Sequence, residues 1–196
     1  MEKINFIKTF IPQGDFKEKY EHGGMMVRHL AAVLDEKMGA YECYECTVPI
    51  GEYDEGEIQK AFIEFTAKMD ALKLKQAKVE KIAEITAYDT SDKVNGFVLN
   101  GLLVWLDKAT RVGLMNSTTI AKAAGQQTTT LWLGGVKLEV DCDKAIQLLS
   151  ALEMYALECF NVTAAHKKAV SELKTIKEVE AFDVTSDYPQ QLVMKL

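Results

Sequence analysis

The chain has 196 residues, 48% of them hydrophobic and 27% charged, with 23 Lys plus Arg against 29 Asp plus Glu for a formal charge of −6. A chain of this length buries roughly 70% of its unfolded surface, so neither wholesale disorder nor a stabilising metal or disulfide is expected. Its acidity argues against a general nucleic-acid or anionic-membrane binder, which needs an excess of cations, and the longest uncharged stretch, Ala123–Val136, is far short of the roughly 20 apolar residues of a membrane span.

The first eleven residues contain no signal-peptide core, because Lys8 interrupts the apolar run, so synthesis and folding in a cytoplasm are expected. Ile4–Ile11 reads as a strand or extended arm ending at Pro12. Gly23 and Gly24 break the chain before Met25–Lys37, where Met26, Leu30, Val33 and Leu34 fit one helical face, with Gly39 as the stop. Ala40–Val48 is rich in aromatic and β-favouring residues and reads as a strand closed by Pro49 and Gly51. Between Glu42 and Glu57 lie six acids, Glu42, Glu45, Glu52, Asp54, Glu55 and Glu57, without one Lys or Arg. This segment reads as a solvated surface or, more sharply, as a docking face for a basic partner, with Glu52, Asp54 and Glu55 at its centre.

Residues 55–85 predict a long helix. Ile58, Phe62, Phe65, Met69, Leu72, Gln76 and Val79 repeat in an a/d heptad pattern, a narrow stripe suited to helix–helix pairing. Two readings stand: packing on the chain's own domain, or self-association with Gln76 helping to fix register. Lys73, Lys75, Lys78 and Lys81 read as the solvated outer face of this helix.

The texture changes near residues 80–87, the expected domain boundary. Asn100-Gly101 predicts a type I′ hairpin joining Phe97–Asn100 to Leu102–Leu106. Asp107 is placed to cap a helix over 108–124 that ends at Gly125. Asp107 and Arg111, four apart, are expected to form an ion pair flanked by Trp105 and Trp132. Gly134-Gly135 predicts a second hairpin between Thr129–Leu133 and Val136–Val140. Asp141 then caps a helix from Cys142 to about Leu173, roughly 48 Å long if unbroken. Leu149, Leu152, Ala156, Cys159, Val170 and Leu173 form its apolar stripe, and His166 lies on the same stripe, facing a core edge with a backbone partner. An extended piece after Pro189 closes the chain.

Three segments follow: an N-terminal α+β part (1–54), the heptad-patterned helix (55–85) and an α+β domain (86–196) of short antiparallel hairpins packed on the long C-terminal helix. Nothing in this pattern carries catalysis. Cys43-x-x-Cys46 has the spacing of a redox or zinc motif, but in a strand residues three apart point to opposite faces. Cys142 and Cys159 read as half-buried small apolar residues. No His pair, nucleophile elbow or phosphate-binding loop occurs. No catalytic residue, metal or cofactor is expected, and nucleic acid and membranes are not expected as partners.

Residues 86–196 resemble an uncharacterised domain family of tailed-phage and prophage proteins, encoded in or beside tail-fibre genes, with a close likeness to Bacteroides-type phages. The likeness rests on WLDKATR (Trp105–Arg111), TTTLW (Thr128–Trp132), the helix residues Leu149, Ala151, Leu152, Tyr155, Phe160, Ala165 and His166, and Tyr188-Pro189. The resemblance implies a virion or host-cytoplasm location and a non-enzymatic structural adaptor or fibre-assembly chaperone, with phage tail or fibre proteins as partners and a homo-oligomer as one form. A small redox or metal protein using Cys43 and Cys46, and a phage regulator binding a host protein, are the alternative expectations.

Overall fold

The computed structural model describes residues 4–11, 16–19, 24–35 and 40–195; Pro12, His22, Gly23, Lys37 and Gly39 lie outside them. The fold is α+β, and the chain divides into two units, Met1–Lys73 and Leu74–Leu196.

In the first unit, β1 (Ile7–Ile11), β2 (Phe16–Lys19), β3 (Gly24–Asp35) and β4 (Ala40–Pro49) form an antiparallel sheet in the order β1-β4-β3-β2. The strands expected at Ile4–Ile11 and Ala40–Val48 are present, and β2 had no counterpart in the sequence reading. The helix expected over Met25–Lys37 is not formed: Gly24–Asp35 is a central strand paired with β4 from Gly24↔Pro49 to Asp35↔Ala40. Register shifts at Leu30/Ala32 and Val33/Asp35 explain the misreading. Each inserts a residue into the alternation, so Met26, Leu30, Val33 and Leu34 acquire spacings of four, three and one that imitate a helical face.

Helix α1 (Glu55–Asp89) starts on reciprocal bonds: the Glu57 amide donates to Asp54 Oδ1 (2.8 Å) and the Asp54 amide to Glu57 Oε2 (2.9 Å). These are the two halves of a capping box. The opening turns of α1 cover one sheet face through Ile58, Phe62 and Phe65, against Phe6, Tyr44, Cys46 and Val48. Ring centroids of 5.3 Å for Phe6–Phe62 and 5.0 Å for Tyr44–Phe65 place the aromatics in the tilted contacts that π systems favour.

The second unit opens with the remainder of α1, whose Ile82 and Ile85 pack with Val170, Leu173, Phe182 and Val184. Strands β5 (Gly96–Leu99) and β6 (Leu102–Trp105) form the first expected hairpin, with Asn100 (φ 50) and Gly101 (φ 84) at its turn. Both turn residues take the left-handed backbone that a type I′ turn needs. Helix α2 (Lys108–Ala123) follows, then the hairpin of β7 (Thr128–Leu133) and β8 (Val136–Asp141) with positive φ at Gly134 and Gly135, then α3 (Cys142–Glu172). Asp141 caps α3 by accepting from the amides of Asp143 and Lys144. The extended tail becomes β9 (Val193–Met194), parallel to β5 and completing the order β6-β5-β9.

A short helix α4 (Ile176–Ala181) was missed. Its signal was legible as Thr175-x-x-Glu178, which forms a capping box. The core of this unit joins both hairpins to α3: Phe97, Leu99, Val104, Leu131, Leu133 and Val140 meet Ala145, Leu149, Leu152 and Cys159.

Candidate functional site

The chemistry-bearing side chains of the second unit gather where the first turn of α2 crosses the middle of α3. Asp107 is the N-cap of α2. Its carboxylate accepts from the Thr110 amide (2.8 Å) and the Thr110 hydroxyl (2.7 Å). Those two bonds hold the Asp107 carboxyl below its usual range.

The expected Asp107–Arg111 ion pair is not formed. Arg111, 8% exposed, donates from Nε to Glu153 on α3 (2.7 Å) and from Nη1 to the Leu106 carbonyl (2.8 Å). The reason is competition: Asp107 is spent on the helix end, and Glu153, 42 residues further on, is brought beside the guanidinium by the packing of α2 on α3. Trp105 and Trp132 are both half or more exposed, Trp132 on the outer face of its hairpin across from Lys137.

A cleft of about 310 Å³ opens beside Arg111. Lys108 and Arg111 from α2, Asp89 from the end of α1 and Asn95 from the turn before β5 supply polar groups, with Glu153 from α3. Ala156, Leu157 and Phe160 of α3 form its apolar wall. The Thr163 hydroxyl donates to Asp89 Oδ1 (2.7 Å) and lies 2.7 Å from the Tyr188 hydroxyl, which orients Asp89. Tyr155 donates to the Val94 carbonyl (2.6 Å), and burial raises its phenol above the usual range.

His166 is 5% exposed with the edges of Phe182 and Tyr188 against it. Neither ring nitrogen has a hydrogen-bond partner, so the expected backbone partner is absent; Asp187 Oδ2 lies 3.9 Å from Nε2.

The seven heptad residues divide. Ile58 is buried, Phe62, Phe65 and Met69 are half-buried, and Leu72, Gln76 and Val79 are exposed. Gln76 donates to Glu80 (2.7 Å). Of the four lysines expected on the outer face, Lys73 and Lys75 are exposed. Lys78 and Lys81 are half-buried instead, because the face from Leu74 to Ile85 turns inward; Lys78 donates to the Ser171 carbonyl (2.7 Å) and Lys81 pairs with Glu84. Their long stems bury while the amines keep polar partners.

In the acidic segment, Glu52 and Glu55 are exposed, Asp54 is engaged at the helix cap, and Glu42 pairs with Lys8 (2.7 Å). Cys43 and Cys46 are both buried in β4, on opposite faces of the strand. Burial, helped by Glu45, pushes the Cys46 thiol up to about 11, far from a reactive thiolate. Cys142 and Cys159 are buried rather than half-buried, and Cys159 donates to the Val94 carbonyl (3.4 Å). Among the described residues no group of three His, Cys, Asp or Glu side chains is placed to hold a metal, and no helix is long and apolar enough to cross a membrane.

The sequence reading missed Glu153, Asp89, Asn95 and Lys108 as members of one site. Of the other members, Arg111 stands in the sequence as an ion-pair candidate, Ala156 on the apolar stripe of its helix and Phe160 in the family likeness. No local spacing links residues 89, 108, 111 and 153.

The cap gives a pH-dependent test. A carboxyl whose folded value is depressed contributes stability above its unfolded value, about 3.9, and loses it as pH falls through the lowered folded value. Asp107→Ala is therefore expected to lower the thermal midpoint at neutral pH. The gap to wild type should close in acid, and Asp107→Asn, which also caps, should stay close to wild type throughout.

No curated protein and no solved structure matches this chain. One family does match, over residues 76–186, more than half of the chain and including every member of the cleft. The chain belongs to that family, the domain of unknown function DUF4376.

Proposed function

We propose that the chain is a non-enzymatic bacteriophage protein of the virion or tail fibre, acting as a structural adaptor or fibre-assembly chaperone that binds tail or fibre proteins. The observation that carries this reading is the edge of the sheet β6-β5-β9. Strand β6 reads Leu-Leu-Val-Trp, and among the described residues it pairs only with β5. Leu103 and Trp105 are 54% and 50% exposed, and Val193 on β9 shares their exposure. Natural sheets guard such edges with short strands, Lys, Pro or bulges; β6 is short, at four residues, but carries no Lys, Pro or bulge. An apolar edge of this kind supports addition of a short extended segment from a partner. The partner class follows the resemblance of residues 86–196 to tail-associated phage domains, and a location in the virion or the bacterial host cytoplasm belongs to the same reading.

Self-association is the second element of the reading, supported by the uncovered Leu72, Gln76 and Val79 on α1. Sedimentation of the full chain is expected to show a dimer or higher species at high concentration, weakened by Leu72→Glu with Val79→Glu. A strict monomer would remove this element. The adaptor reading itself is tested by affinity capture from phage-producing cells. Wild type is expected to recover tail or fibre proteins, and Leu103→Ser with Trp105→Ser to lose them while retaining its circular dichroism. Recovery of a host protein alone would favour a regulator. The acidic surface is tested by reversing Glu52 alone, because Asp54 and Glu55 both belong to the start of α1; undiminished capture would remove this surface from the reading.

A further inference from the structure

We propose that the cleft between the first turn of α2 and the middle of α3 binds a neutral saccharide. At about 310 Å³ it stands at the small end of ligand pockets and suits one sugar ring. Its charges cancel: Lys108 and Arg111 bring two positive charges, Asp89 and Glu153 two negative. An ionic ligand would gain from one pair and lose to the other, so the electrostatic complement of this surface is a ligand without net charge.

The chemistry of the lining is as specific as its charge. Carboxylates, an amide and a guanidinium offer planar arrays of acceptors and donors, the geometry that adjacent hydroxyls, each both donor and acceptor, satisfy in pairs. These groups are held in place before any ligand arrives. Arg111 is fixed by Glu153 and the Leu106 carbonyl, Asp89 by Thr163, and the Asn95 amide donates to the Asp89 carbonyl. Fixed polar groups lower the ordering cost of binding.

Beside Glu153 on the same face of α3 lies an apolar platform. Phe160 is 65% exposed and Leu157 50%, an arrangement that costs free energy unless something covers it. A pyranose has one face lined by C–H bonds, whose positive edge matches the negative face of an aromatic ring. The site does not depend on the adaptor reading, since it uses neither β6 nor the exposed seam of α1.

The test is saturation-transfer NMR on the full chain with methyl glycosides of glucose, galactose, mannose and N-acetylglucosamine at about 10 mM, a range that detects dissociation constants near 1 mM. Transfer to the C–H protons of at least one glycoside is expected. Phe160→Ala and Lys108→Ala, both at exposed positions, should each weaken it, Phe160→Ala by roughly tenfold or more. Trp132→Ala, an exposed aromatic away from the cleft, should leave it unchanged. Binding should also be insensitive to salt, as for an uncharged ligand. Absence of transfer to all four glycosides, binding unaffected by Phe160→Ala, or preference for glucuronate or glucosamine over the neutral sugars would overturn the proposal.

Discussion

Phe97→Ala is expected to destabilise the second unit by about 3–5 kcal/mol, the range for deleting a fully buried aromatic from a packed core. Phe97 is 0% exposed and belongs to the cluster in which both hairpins meet α3. The Asn100-Gly101 turn sets the β5–β6 register, and that register points Phe97 and Leu99 inward. There they join Leu149 and Leu152 of α3, and removing the ring leaves a cavity that flanking elements cannot collapse into without breaking their own hydrogen bonds. Urea denaturation followed by tryptophan fluorescence measures it cleanly, because both tryptophans, Trp105 and Trp132, lie in this unit. The midpoint should fall with the slope unchanged. A loss below about 1 kcal/mol, as for an ordinary surface substitution, would mean that this core is not packed as described.

Arg111→Ala is expected to cost about 2–4 kcal/mol. Each hydrogen bond from a charged group contributes roughly 1.5–3 kcal/mol, and Arg111 makes two. Glu153 is partly open to solvent, its side chain 36% exposed, so water screens some of its loss. The Leu106 carbonyl is the more serious casualty, because its bond to Nη1 is buried. Glu153→Gln retains an acceptor oxygen for Nε and should cost about 1 kcal/mol. A double-mutant cycle between the two positions is expected to show coupling of about 1–2 kcal/mol. Coupling near zero would contradict the assignment of Glu153, rather than Asp107, as the partner of Arg111.

The elements legible in the sequence are those set by local chemistry. The Asn100-Gly101 and Gly134-Gly135 turns, the caps Asp107 and Asp141, and the long helices all follow from residues within one or two turns of each other. The failures share the opposite property. Segment 24–35 is a strand because β4 pairs along its length, and its two register shifts disguise the alternation that would have revealed it. Arg111 chose Glu153 over Asp107 because a tertiary contact offered a carboxylate that the helix cap did not already occupy. The heptad stripe is continuous in sequence but not in burial: its first half packs under the sheet of the first unit, while its second half is exposed and a different face of α1 turns inward beyond Leu74. The cleft was invisible for the same reason, being assembled from a turn and three helices spread over more than 70 residues. Arg111 and the apolar residues Ala156 and Phe160 are the members of the cleft with a local trace in the sequence.

We propose that this DUF4376 chain binds phage tail or fibre proteins through the exposed edge at β6. The most direct measurement places a photo-cross-linking amino acid at position 105 in the full chain, irradiates phage-producing cells and identifies the attached peptides by mass spectrometry. Peptides from tail or fibre proteins are expected, and are lost when Leu103 is also changed to Ser. Cross-links to host proteins alone, or no cross-link at 105 while a control position elsewhere on the surface gives one, would contradict it.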